Sequence, residues 1–169
     1  MTLSPFLWAA GLLPAFEWLQ HTYLGDTIRH SAALIATLEI IHLIGLTLLL
    51  GTLLMVDLSL LGLGIDRQPV SSVARELNRF TAIGLAIMLM SGPLLLCSEA
   101  VKCYKTPAFW VKMALLAMAI TFQFTIHRRA TLAEPPVERS RATLVAIWSL
   151  VLWTGVALAG KGIAIFQPA

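Results

Sequence analysis

The sequence predicts an all-α integral membrane protein, a four-helix bundle preceded by a short N-terminal interfacial helix. Three observations predict it. Of 169 residues, 58% are hydrophobic and only 12% are charged, about half the charge of a soluble domain, and the mean hydropathy is +0.83. Four apolar runs each reach or approach the roughly 20 residues that a spanning helix needs. Short connections join them, so sequential helices are antiparallel neighbours. One membrane domain is expected, with lipid as its main solvent.

Residues 1–26 form the first segment. The stretch 3–16 is apolar but broken by Pro5, Gly11 and Pro14. No basic region precedes it and no A-x-A site follows, so it does not resemble a cleavable signal. An interfacial or re-entrant helix is expected instead, anchored by Trp8 and Trp18, because indole rings favour the membrane–water boundary. Residues 27–169 hold the four spans, at about 32–63, 80–97, 108–126 and 142–165. The first exceeds the hydrocarbon thickness and must tilt or project.

Orientation follows from the cations. Arg67, Arg75 and Arg79 lie between spans one and two, and Arg128, Arg129, Arg139 and Arg141 between spans three and four. These two loops share one side and carry seven of twelve basic residues. Arg29, Lys102, Lys105, Lys112 and Lys161 lie on the other side. The positive-inside rule places the arginine loops in the cytoplasm and both termini in the periplasm of a bacterial inner membrane. The net charge of +3 therefore reflects topology, and no basic stripe interleaved with aromatics points to nucleic acid.

Ionisable residues inside a membrane are costly and usually face the bundle interior. The first span supplies Glu39, His42 and Asp57, with Gly45 and Gly51 among them. At about 100° per residue, Glu39, His42, Gly45 and Leu49 share one face. A glycine one turn beyond a histidine leaves room for a flat or bulky group, and a carboxylate beside a ligating imidazole sets its tautomer. The plainer reading makes His42 an interhelical hydrogen-bonding residue and the glycines close-packing positions. Lys112, Lys161, Arg29 and His30 fall at a similar depth to His42. A histidine ringed by cations suits a planar iron-bearing ligand with two propionates; singly, the lysines snorkel. His127 ends the third span, roughly 20 Å in depth from His42 at 1.5 Å per residue. It belongs either to a second site or, the favoured reading, to the interface.

Three other features are ambiguous. Ser91-Gly92-Pro93 kinks the second span, which opens space for a ligand or serves structure alone. Cys97 and Cys103 lie on the outer, oxidising side, where a disulfide forms if geometry permits. Met88, Met90, Met113 and Met118 offer soft ligands to Cu(I) or simply pack. No C-x-x-C-H haem attachment motif and no nucleotide fingerprint for a flavin is present.

The run Ile41-His42-Leu43-Ile44-Gly45-Leu46-Thr47-Leu48-Leu49-Leu50-Gly51 with Asp57-Leu58, together with Phe109-Trp110-Val111-Lys112, Leu115-Leu116 and His127, resembles the copper-resistance protein D superfamily. That superfamily includes the HemJ protoporphyrinogen oxidases. An uncharacterised bacterial membrane family with an E-x-x-H-L-x-G first helix is the nearest in pattern, with Ile28-Arg29-His30-Ser31 leading into that helix here. Ser59 stands where that family carries an arginine. The resemblance implies haem b, with His42 and Lys112 at the positions of the first-helix histidine and third-helix lysine. Copper passage is implied by the copper-resistance proteins themselves.

The leading expectation is a haem b-binding, cytochrome-like membrane protein that exchanges electrons with a redox partner protein. His42 is the axial metal ligand, Glu39 its orienting partner, Gly45 the cradle, and Lys112, Lys161 and Arg29 the propionate anchors. A second axial ligand comes from His30, His21 or a second copy in a homo-oligomer, or the position stays open. The alternatives are a HemJ-like porphyrinogen oxidase, a copper-binding or transport protein, and a structural subunit of a larger membrane complex.

Overall fold

The computed structural model describes residues 11–64 and 68–165. The calls on residues 3–10, Trp8 and Arg67 lie outside the described residues. The described chain is helical, in the order α1 Leu13–Gln20, α2 Tyr23–Arg29, α3 Ala32–Leu60, α4 Val70–Ser98, α5 Ala100–Lys105, α6 Pro107–Phe122, a π-helical turn Gln123–His127, α7 Arg128–Thr131 and α8 Arg139–Ile165. Four stretches are long and apolar enough to cross a membrane: α3, α4, the continuous run Pro107–Thr131, and α8. The protein is an all-α, four-helix integral membrane bundle.

Local chemistry sets the boundaries. Ser31 leaves the helical conformation and its hydroxyl accepts from the Leu34 amide, satisfying one of the free donors at the start of α3. Thr22 does the same for α2 through Gly25. Pro107 opens α6, where its missing N–H and fixed φ cost nothing. The second span is longer than the apolar run. α4 begins at Val70 because residues 70–79 are helical but polar, with Arg75, Glu76 and Arg79 exposed. At 1.5 Å per residue, the 29 residues of α3 and of α4 exceed about 30 Å of hydrocarbon, so both project beyond it.

α3 packs most extensively on α4, and α6 on α8, with α3 and α8 joining the two pairs. Apolar side chains gain little by leaving lipid for one another, so close backbone approach must supply the attraction. Gly45 and Gly84 provide it at the α3–α4 crossing. A Cβ on Gly45 would lie 2.6 Å from Ile87 Cγ2, and one on Gly84 2.8 Å from the Leu49 amide nitrogen. Gly45 is thus filled by α4 and forms no cradle for a ligand. Leu49, Leu53, Ala119, Leu152, Trp153 and Val156 make the central core. Ile40, Ile44, Met55, Trp148 and Leu158 are exposed, forming the surface that faces the bilayer.

The N-terminal elements cap one end of the bundle. α1 packs on α5 and α4, and the Gln20 side chain accepts from the Val101 amide at 3.0 Å. Phe16 stacks within 5.3 to 6.1 Å of Tyr104, Phe109 and Trp110. Trp18 is largely exposed, suited to the interface. The boundary expected at residue 26 falls inside α2, which packs on α3 and α4; the described part of the segment, residues 11–26, caps the bundle.

Candidate functional site

A half-open cavity of about 340 Å³ lies under this cap, where α3, α4, α5, α6 and α8 converge. His42 and Glu39 reach it from α3, Gly92 from α4, Lys102 and Cys103 from α5, Lys112 from α6 and Gly160 from α8. The helix periodicity that puts Glu39 and His42 on one face of α3 brings both to this cavity, His42 half-buried and Glu39 at its exposed rim. The Pro93 kink region supplies the opposing wall: Gly92 has no side chain, and a Cβ there would sit 3.5 Å from His42 Cε1.

The imidazole is held by Ser91. His42 Nδ1 lies 2.8 Å from Ser91 Oγ, and Ser91, almost fully buried, donates its one hydroxyl proton to the Ile87 carbonyl at 2.6 Å. Its oxygen can then only accept. Nδ1 is therefore the protonated nitrogen of the neutral ring, and Nε2 keeps its lone pair. Ser91 takes the orienting role expected of Glu39, which lines the same cavity from an exposed position. Their separation of 49 positions hides the pair in the sequence; the only signal is a hydroxyl residue beside a helix-kinking Gly-Pro.

Lys112 is half-buried, and its Nζ would lie 3.6 Å from a Cβ on Gly160. Among the described residues no carboxylate comes within ion-pair distance of it, whereas Lys102 is paired with Glu99 at 3.0 Å. The cavity therefore presents an unpaired ammonium and a bare imidazole nitrogen. Cys103 also faces it, its thiol pushed up by burial and by nearby Glu99.

Several expected members are elsewhere. Arg29 is tied to Asp26 at 2.6 Å and lines an adjacent cavity. Lys161 is exposed and does not line the His42 cavity; its neighbour Gly160 does. His30 donates Nδ1–H to the Asp26 carbonyl at 2.8 Å and is exposed, as is His21. Neither histidine lines the cavity. Cys97 and Cys103 are free thiols. Met90, Met113 and Met118 are exposed on the lipid side, and Met88 packs against the core. Among the described residues, no group of three or more His, Cys, Asp or Glu side chains is arranged to hold a metal ion.

His127 is not interfacial. It is 2% exposed, and its Nε2–H donates to the fully buried Asp57 of α3 at 2.7 Å. A π turn inserts an extra residue into the last turns of the third span, and His127 closes that turn.

These features define a polytopic membrane protein with a histidine–lysine cavity at one end and a buried histidine–aspartate pair toward the other. The chain belongs to the family of unknown function DUF6644, whose model matches residues 15–166. No match is found among curated proteins or solved structures.

Proposed function

We propose that the chain is a haem b-binding, cytochrome-like membrane protein that exchanges electrons with a partner protein, in keeping with its resemblance to the copper-resistance D superfamily. One observation carries the reading: Ser91 holds His42 through Nδ1, leaving Nε2 unprotonated and without a hydrogen-bonding partner among the described residues. A protein has little reason to spend a buried hydroxyl on fixing that tautomer unless the other nitrogen has a partner to meet.

The donor set fits the group. Iron in a porphyrin takes four nitrogens from the macrocycle, so one side chain suffices and no cluster of protein ligands is required. His42 would hold the iron, Lys112 would pair with a propionate, and Gly92 and Gly160 leave space on the two flanks. The half-open wall admits a flat group with one edge toward lipid. Bound haem would supply one-electron chemistry. Ser91 holds the imidazole in register, Lys112 supplies the compensating charge, and Phe109, with Phe16 against it, forms part of the wall. Among the described residues the cavity contains no second histidine, so a single histidine ligand is proposed, with Cys103 the other donor at hand.

The arginine distribution supports placing the His42 end on the periplasmic side of a bacterial inner membrane. The test is a reduced-minus-oxidised absorbance spectrum of protein purified in detergent from haem-replete cells. A Soret band and α band that vanish in a folded His42→Ala variant are expected. A colourless wild-type protein, or bands unchanged in His42→Ala, overturns the proposal.

A further inference from the structure

The end of the bundle that bears the arginines has a cavity of about 250 Å³ between the close of the third span and the start of the fourth. Thr125 and Ile126 of the π turn line it, with Arg129 of α7, Val137 of the connecting segment, and Arg141 and Val145 of α8. Arg129 lies two residues before the end of the third spanning stretch, and Arg141 two residues after the start of the fourth. These stretches are antiparallel and packed together, so the two arginines leave the bundle at one depth. One turn deeper, about 5–6 Å at 1.5 Å per residue, the lining becomes apolar with Ile126 and Val145. Leu144, Ile147 and Trp148 are exposed beyond it, where α8 continues into the surface that faces lipid.

The cavity is charged on one side only. No carboxylate lines it, and among the described residues neither arginine has an ion-pair partner. Glu138, three residues before Arg141, lies outside the lining and pairs with neither. Other arginines at this end are engaged: Arg75 with Glu134, and Arg79 over the Phe80 ring at 4.6 Å. Thr125 donates its hydroxyl proton to the Thr121 carbonyl at 2.6 Å, so the side-chain proton donors of the cavity are the two arginines. The positive-inside rule asks for cations at one end, and snorkelling carries each to water separately. Neither requires two of them on one small cavity, where like charges repel and an anion between them removes the repulsion.

The combination specifies an amphiphile. Arginine forks match phosphate oxygens, and basic pockets between spanning helices hold anionic headgroups. The apolar inner wall suits the first carbons of an acyl chain, which a free phosphate would leave uncovered. A headgroup with its own ammonium would bring that cation up to the same two arginines. We propose that this cavity binds an anionic phospholipid, its phosphate held by Arg129 and Arg141 and one acyl chain descending past Ile126 and Val145. The site rests neither on the haem reading nor on the orientation of the bundle.

The test is native mass spectrometry of the full-length protein in detergent, titrated with dioleoylphosphatidylglycerol and separately with dioleoylphosphatidylcholine. Saturable binding of the anionic lipid, about tenfold tighter than the zwitterionic one, is expected, the worth of one charge-assisted hydrogen bond. Arg129→Gln and Arg141→Gln should each weaken the anionic lipid by about tenfold and leave the zwitterionic one unchanged. Arg139→Gln removes the same charge at the same end but lines a different cavity, and should bind as wild type does. Equal affinity for the two lipids overturns the assignment. So does an Arg139→Gln loss as large as the others, which would mark a diffuse cationic end. Displacement of the lipid by millimolar inorganic phosphate also overturns it, since that would mark a site for a free anion. If a variant fails to fold, the comparison of the two lipids on the wild-type protein still decides.

Discussion

Removing either member of the Asp57–His127 pair tests the reasoning about buried polarity. The two side chains are 0% and 2% exposed, and the donor–acceptor distance is 2.7 Å. That distance lies at the short end for N–H···O and matches charge-assisted bonds, which contribute about 1.5–3 kcal/mol. Interhelical hydrogen bonds in membrane proteins average only about 0.6 kcal/mol, because in the loosened state each group finds another partner. Asp57 and His127 sit within protein rather than against lipid, so the larger figure governs. A double-mutant cycle of Asp57→Ala and His127→Ala is expected to give a coupling energy of about 2 kcal/mol. Each single variant should be destabilised by about 3 kcal/mol, since it strands a buried partner. The double variant should be less destabilised than the sum of the two. The assay is reversible unfolding by SDS in mixed micelles, followed by far-ultraviolet circular dichroism. Strict additivity would refute the pairing, and singles within about 0.5 kcal/mol of wild type would refute the burial.

Gly84→Ala should destabilise the bundle by about 1–3 kcal/mol in the same assay, since its Cβ would meet the Leu49 backbone at 2.8 Å; Gly51→Ala, with nothing within 4 Å, should be neutral or stabilising. On the proposed haem reading, Ser91→Ala should keep the fold but free the His42 ring, broadening the expected haem bands and weakening haem retention by about tenfold, whereas Ser91→Thr should restore both; unchanged retention in Ser91→Ala would sink the tautomer argument. Maleimide labelling of Cys103 needs the thiolate, and burial together with Glu99 raises its pKa. The labelling rate should therefore keep climbing with pH above the ordinary thiol value of about 8.5, and a plateau at or below that value would contradict the burial. Because Cys103 lines the His42 cavity, the proposed haem site predicts slower labelling of protein purified from haem-replete cells than from haem-starved cells at the same pH, and equal rates would count against that proposal.

The sites divide between what was legible along the chain and what was not. Glu39, His42 and Lys112 stand out as costly charges in apolar runs, and their shared cavity follows from helix periodicity and antiparallel order. The partner of His42 does not follow from either. Glu39 looks like the orienting group because it lies one turn away, but side chains on one helix face point along the same direction. An imidazole directed inward meets the opposing helix, and there it meets Ser91. Arg29, Lys161 and His30 share the depth of His42, but depth says nothing about azimuth: Arg29 and His30 turn to Asp26, and Lys161 to the surface. His127 resembles an interfacial residue by its place beside Arg128 and Arg129. The π turn rotates it back into the bundle toward Asp57, and no local pattern announces that extra residue.

Membership of the bilayer, the four spans and the all-α class were determined by the sequence alone. They depend on composition and run length, and lipid admits only backbones whose hydrogen bonds are met internally, which for long, continuously apolar runs means helices. Which polar groups pair, and which stay unmet, was decided only by the tertiary structure. Pairing depends on helix rotation and crossing, set here by the glycine contact of α3 with α4 and by one inserted residue in the third span. Those are sub-turn quantities, and a few tens of degrees separate a side chain that faces a partner from one that faces lipid.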